Sequence, residues 1–200
     1  MSNIIALYDM SVLVDSFTNA WQSTMMYIGQ PIAHGQTFSN NLLNNVRLTS
    51  AQFNLRKSGS PIGNVYAALY NLTGTFGTNA KPTGEAIAIS DNVDVTTIST
   101  LDSWTSFSFS EDNQVVLEVA GQYGVACIFN GGDSSNYLLI QGDQYNSPFE
   151  HDDGNTFSSN DLSTWGGNDD HDKGFRVYGN EIIVTPVVGQ KYPLPAFRRS

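Results

Sequence analysis

From Val46 onward the apolar residues recur at every second position, a spacing that admits strands with one buried face and leaves no stretch reading as an amphipathic helix. Thr105, Phe107 and Phe109 alternate with Ser106, Ser108 and Ser110. Val46 and Leu48 start a second such row, which slips by one residue and resumes at Ala51, Phe53 and Leu55, as a strand does at a β-bulge. The turn cluster Ser58-Gly59-Ser60-Pro61-Ile62-Gly63 then leads into Val65, Ala67 and Leu69, with Tyr66 and Tyr70 on the opposite face, which predicts a hairpin.

Further strands are predicted at 85–89, 115–119, 123–129, 137–141, 175–178 and 181–185, with a long loop over Asn71 to Gly84. About eight to ten short strands at this spacing indicate an all-β chain, a two-sheet antiparallel sandwich of jelly-roll kind, occupying residues 33–186. Residues 1–32 are expected to form an N-terminal extension that packs on the sandwich or on a neighbour. Within the first residues, Ile4 to Val14 reads as a strand pair and Asp15 to Met26 as a short helix or an irregular crossing. Residues 187–200 read as an extended tail, because Pro193 and Pro195 oppose continued sheet. Within that tail Tyr192, Pro193, Pro195, Phe197, Arg198 and Arg199 are the candidate assembly contacts, the competing reading being a frayed terminus.

Composition narrows the partners. The net charge of −10, from nineteen acids and nine bases, leaves no basic surface for neutralising phosphates, so nucleic acid is not an expected partner. No run of about eighteen apolar residues suggests a membrane span, and no basic n-region with a long apolar run marks a secretory leader. Cys127 is single, which rules out an intrachain disulfide and a cysteine-based zinc site within the chain.

The charge is unevenly placed: eight of the nineteen acids lie from Asp143 to Asp172, and five of the nine bases from Lys173 onward. Hard oxygen ligands gathered in loops are what Ca²⁺ takes, and Asp152, Asp153, Asn168, Asp170 and Asp172 are the candidate ligands. Asn168, Asp170 and Asp172 alternate as in the first half of an EF-hand loop, but Gly174 comes one place late and no Glu holds the twelfth position, so a solvated acidic loop competes with the Ca²⁺ reading. Trp165 and Tyr145, with Asp161 beside them in polar loops, have the residue types that stack a sugar ring and bond its hydroxyls. Trp104 reads instead as a plug at the end of the core. His34, His151 and His171 stand in no nucleophile or zincin motif, and no glycine-rich phosphate loop is present, so the chain is not expected to be an enzyme.

Ala33-His34-Gly35-Gln36-Thr37-Phe38, Val46-Arg47-Leu48, Gly63 to Tyr70, Pro82 to Ala88, Trp104 to Phe107, Ala120 to Val125, Asp161 to Trp165 and Phe175 to Gly179 follow one another in order. This series resembles the jelly-roll β-sandwich modules of the choice-of-anchor and carbohydrate-binding-like type, found in bacterial surface proteins and tailed-phage structural proteins. The resemblance implies binding, display or assembly and supplies no catalytic residue. Two expectations follow. The first is a non-enzymatic virion structural protein of a tailed bacteriophage, a capsid decoration or tail-associated subunit assembled in the host cytoplasm as a homo-oligomer with other virion proteins. The second is a carbohydrate-binding module at an extracellular surface, recognising a glycan with or without Ca²⁺.

Overall fold

The computed structural model describes residues 4–19, 22–143, 153–168 and 171–185. In chain order the strands are β1 (Ile4–Phe17), β2 (Gln22–Met26), β3 (Ala33–Ser39), β4 (Val46–Ser58), β5 (Asn64–Thr73), β6 (Lys81–Ile89), β7 (Val93–Asp94), β8 (Ser103–Ser108), β9 (Val116–Leu117), β10 (Gln122–Ile128), β11 (Tyr137–Gly142), β12 (Thr156–Ser159), β13 (Trp165–Asn168) and β14 (Phe175–Thr185). They form two seven-stranded sheets, and every named pairing is antiparallel. The chain is therefore an all-β, two-sheet sandwich, as the period-two rows predict.

The first sheet is built on β4. One side of β4 carries β8 and β9, and the other carries β14 over Ala51 and its neighbours and β11 over Leu55 to Ser58. β11 and β14 thus lie end to end along β4, and β1 and β2 lie end to end along them as the outer edge. Residues 4–17 are one strand rather than the expected pair, because every segment of it finds its partner on β14 and two register irregularities, between Leu7 and Ser11 and between Leu13 and Asp15, absorb the mismatch. The helix or crossing expected over 15–26 is replaced by the end of β1 and by β2, whose Phe17 and Met26 side chains are buried in the core. The slip read after Leu48 is a bulge: Tyr178 faces Ser50 and Gly179 faces Leu48, leaving Thr49 unmatched.

The second sheet runs β13-β12-β3-β10-β5-β6, with β7 continuing the edge beside β5. Its inner face gives Phe38, Leu69, Val125 and Cys127 to the main core, where they meet Leu48, Phe53, Phe107, Ile140 and Phe175 from the first sheet. The loop expected over 71–84 is shorter than predicted, since Leu72 pairs Pro82 and Thr73 pairs Lys81 across a turn in which Asn79 Oδ1 accepts the Thr75 N–H at 2.8 Å. Pro82 is tolerated because β6 is an edge strand.

This sheet curls until β12 and β13 meet β6. Asn155 holds the curl: its N–H donates to Thr37 Oγ1 at 2.7 Å and its Nδ2 to the Ala80 carbonyl at 2.8 Å. The concave outer face then buries a second apolar cluster of Ala33, Ala68, Tyr70, Ala126, Ile128, Phe157 and Trp165. The Phe157 ring lies over Gly35 of β3 and Gly124 of β10, and a Cβ on Gly35 would collide with that ring and with the Val125 carbonyl. Gly35→Ala is accordingly expected to lower unfolding free energy by about 1–3 kcal/mol in urea titrations, the usual range for overpacking. Gly166→Ala, whose Cβ meets nothing within 4 Å, should change it by less than about 0.5 kcal/mol; equal losses in the two variants would show that the floor under Phe157 is not the constraint.

Candidate functional site

β11 ends at Gly142 and β14 begins at Phe175, so the chain between them leaves the first sheet, builds β12 and β13 in the second, and returns. The departure and return points are tied together. The Asp143 N–H donates to the Asp172 carbonyl at 2.9 Å and the Gly174 N–H to the Gln141 carbonyl at 2.9 Å, while the Asp172 N–H reaches Asp143 Oδ1 at 2.6 Å. Gln36, fully buried on β3, joins this neck to the opposite sheet: its Oε1 accepts the Lys173 N–H at 3.0 Å and its Nε2 donates to Asp172 Oδ1.

Lys173 and His34 complete the neck. Lys173, only 3% exposed, donates from Nζ to Thr24 Oγ1 of β2 at 2.9 Å. Burial pushes its ammonium down to about 8, opposed by the nearby Asp143 and Asp172 carboxylates. His34 is pushed down to about 3, first by burial and then by the Lys173 charge, against a hydrogen bond to the Met25 backbone. The imidazole is therefore neutral. Among the described residues neither its Nε2 nor His171 Nδ1 has a hydrogen-bond partner. Both histidines line a cavity of about 110 Å³ together with Thr24, Ser158, Asn168 and Lys173.

The three Ca²⁺ candidates among the described residues, Asp153, Asn168 and Asp172, stand in different environments. Asp172 turns inward to Gln36, Asp153 is exposed, and Asn168 is exposed with its carbonyl accepting the Thr156 hydroxyl at 3.0 Å. Asp152 and Asp170 lie outside the described residues. Among the described residues no three His, Cys, Asp or Glu side chains converge as metal ligands would.

Asp161 and Trp165 belong to the β12–β13 hairpin. Asp161 Oδ1 accepts the N–H groups of Thr164 at 2.7 Å and Ser163 at 2.9 Å and lies 3.2 Å from the Ser159 hydroxyl. These bonds, Thr164 foremost, hold the carboxyl down to about 2 and fix a turn in which Leu162 adopts a left-handed φ of 61°. Trp165 is buried, edge-on to Tyr70 at 5.2 Å and to Phe157 at 5.5 Å. It forms one wall of an open groove of about 510 Å³ on the outer face of the second sheet, whose other walls include Tyr66, Tyr70, Pro82, Glu85 and Leu162. Tyr145 and the tail residues Tyr192, Pro193, Pro195, Phe197, Arg198 and Arg199 lie outside the described residues. Trp104 does not plug the core: it faces outward on the first sheet, with the Arg176 guanidinium 4.0 Å above its ring.

Sequence reading passed over Gln36, Lys173 and the pair Tyr66 and Tyr70. Gln36 stands among the polar His34, Thr37 and Ser39 of β3, so no local signal sets it apart. Nothing local announces the groove, which exists only because the sheet curls. Comparison of the sequence with protein-family models and with curated proteins, and of the fold with solved structures, finds no match in any of the three.

The neck makes stability pH-dependent. His34 binds a proton near 6.5 when unfolded and only near 3 when folded, so its contribution is complete above 6.5 and is lost as pH falls through 3. At about 1.4 kcal/mol per pKa unit the full loss is of order 5 kcal/mol. Urea titrations from pH 8 to pH 3 should show His34→Gln losing stability less steeply than the unaltered chain; parallel curves would remove His34 from the account.

Proposed function

We propose that this chain is a non-enzymatic structural subunit that works by assembly, as a capsid decoration or tail-associated protein of a tailed bacteriophage particle. The observation that carries the assembly reading is the corner where β1 and β14 run on together. β14 pairs with β4 only as far as Glu181 opposite Val46, whereas its pairing with β1 continues, Ile182 facing Leu7 and Thr185 facing Ile4. Past that point, among the described residues, β1 and β14 pair only with each other, with one further bond from the Ile182 N–H to the Asn45 carbonyl at 2.8 Å.

Of the eight residues in that ribbon, seven are apolar: Ile4, Ile5, Ala6, Leu7, Ile182, Ile183 and Val184. A two-stranded ribbon standing alone is marginal in water, and an unpaired apolar edge is a template for another chain. The feature that would be a liability in an isolated domain suits a protein made to join copies. The resemblance of the sequence to phage and bacterial-surface modules gives the assembly its setting, and the acidic surface keeps the subunits soluble before they join.

Sedimentation of the full chain is expected to show a concentration-dependent oligomer. Ile183→Lys should shift it toward the monomer with little change in thermal unfolding, since Ile183 is only half-buried. A monomer at every concentration would sink the assembly reading. Electron microscopy of particles made with and without the chain tests the setting, and identical particles lacking density for it would refute the virion assignment.

A further inference from the structure

The groove on the second sheet has features that a lone sandwich does not need. Its lining joins the small residues Ala68 and Ala86 with the half-buried Tyr66 and with Leu162, all packed against the buried Tyr70 and Trp165 cluster. Leu162 holds a backbone conformation that side chains other than glycine rarely adopt, fixed there by the Asp161 turn, and strain of that kind gathers where a surface is shaped for a ligand. Among the described residues Glu85 is the one charged residue in the lining.

We infer that this groove receives the segment Tyr192-Pro193-Leu194-Pro195-Ala196-Phe197-Arg198-Arg199 of a neighbouring copy; the inference rests on the assembly reading above. The chemistry is complementary. A segment with two prolines at alternate positions favours the extended polyproline conformation, which loses little entropy on docking, and aromatic-lined grooves are the surfaces that receive it. Leu194 and Phe197 supply apolar side chains for the aromatic walls, and Arg198 and Arg199 supply the charge opposite to Glu85 and to a chain of net charge −10.

The neighbour, rather than the same copy, follows from position. Thr185 ends a strand of the first sheet, past the end of its pairing with β4, whereas the groove opens on the outer face of the second sheet. From Thr185 to Pro193 an extended chain covers about 25 Å, at about 3.1 Å per residue, enough to cross to an adjoining subunit. A ribbon contact and a segment held by the neighbour would act together, so that each raises the effective concentration for the other.

The test uses a peptide of residues 190–200 and the full chain carrying Phe197→Asp, which leaves the groove intact and its own segment unable to compete. Titration followed by tryptophan fluorescence should show saturable binding, weakened at least tenfold by Tyr66→Ala and by Glu85→Lys, and weakened by added salt. Glu85 is exposed, so its variant keeps the fold even where Tyr66→Ala does not. In sedimentation, Phe197→Asp should dissociate the oligomer at a higher concentration than the unaltered chain does. An oligomer that forms normally while the peptide fails to bind overturns this inference and leaves the assembly reading standing. Peptide binding to a chain that is always monomeric overturns both the neighbouring-copy inference and the assembly reading. A fluorescence response to soluble oligosaccharides and none to the peptide assigns the groove to a sugar and overturns the inference.

Discussion

Gln36 stands where the second sheet faces the returning chain, and its single amide satisfies both the Asp172 carboxylate and the Lys173 N–H. A buried polar group of this kind is costly unless all its bonds are made, and once they are made it admits one arrangement only. The neck therefore sets where residues 143–172 depart and rejoin. It ties the end of β11 to the start of β14, and it delivers β12 to β3, where Ser158 faces His34 and Thr156 faces Gln36. Pairing along β4 already sets β11 and β14 end to end, and the Gln36 tie fixes their junction to the opposite sheet.

The curl of the second sheet depends on the same delivery. β12 arrives beside β3 with Phe157 over the Gly35 and Gly124 backbones, and the ring can settle only because those positions have no side chain. Settling it draws β13 round toward β6, and this brings Trp165 to Tyr70 although four pairings separate their strands in the sheet. Among the described residues the sandwich thus has two apolar interiors, the larger between the sheets and the smaller inside the rolled second sheet.

Much of this fold is readable from alternation, and the parts that are not share a cause. Rows such as Thr105, Phe107 and Phe109, or Val65, Ala67 and Leu69, declare themselves because each strand has one buried face, and even the bulge at Thr49 shows as a slip of phase. β12 and β13, with the sequences Thr-Phe-Ser-Ser and Trp-Gly-Gly-Asn, do not, since serine and glycine carry little strand preference and their place is set by partners far along the chain. The acidic stretch is hard to read for the same reason. Asp143 and Asp172 face inward at the neck, Asp161 builds a turn and Asp153 faces solvent, so one run of like residues holds three different environments that a count of charges cannot separate. Trp165 is legible as important but not as buried, because the rings that cover it come from β5 and β12.

The pairing of β1 with β14 joins the earliest-made of these strands to the latest-made. During synthesis β1 emerges long before its partner exists, and the β1–β14 ribbon cannot form until residues 175–185 have left the ribosome. A partly made chain thus lacks the ribbon on which the proposed assembly rests. Order of synthesis acts here as a clock: the first strand waits unpaired until the last strand of the sandwich arrives to close it.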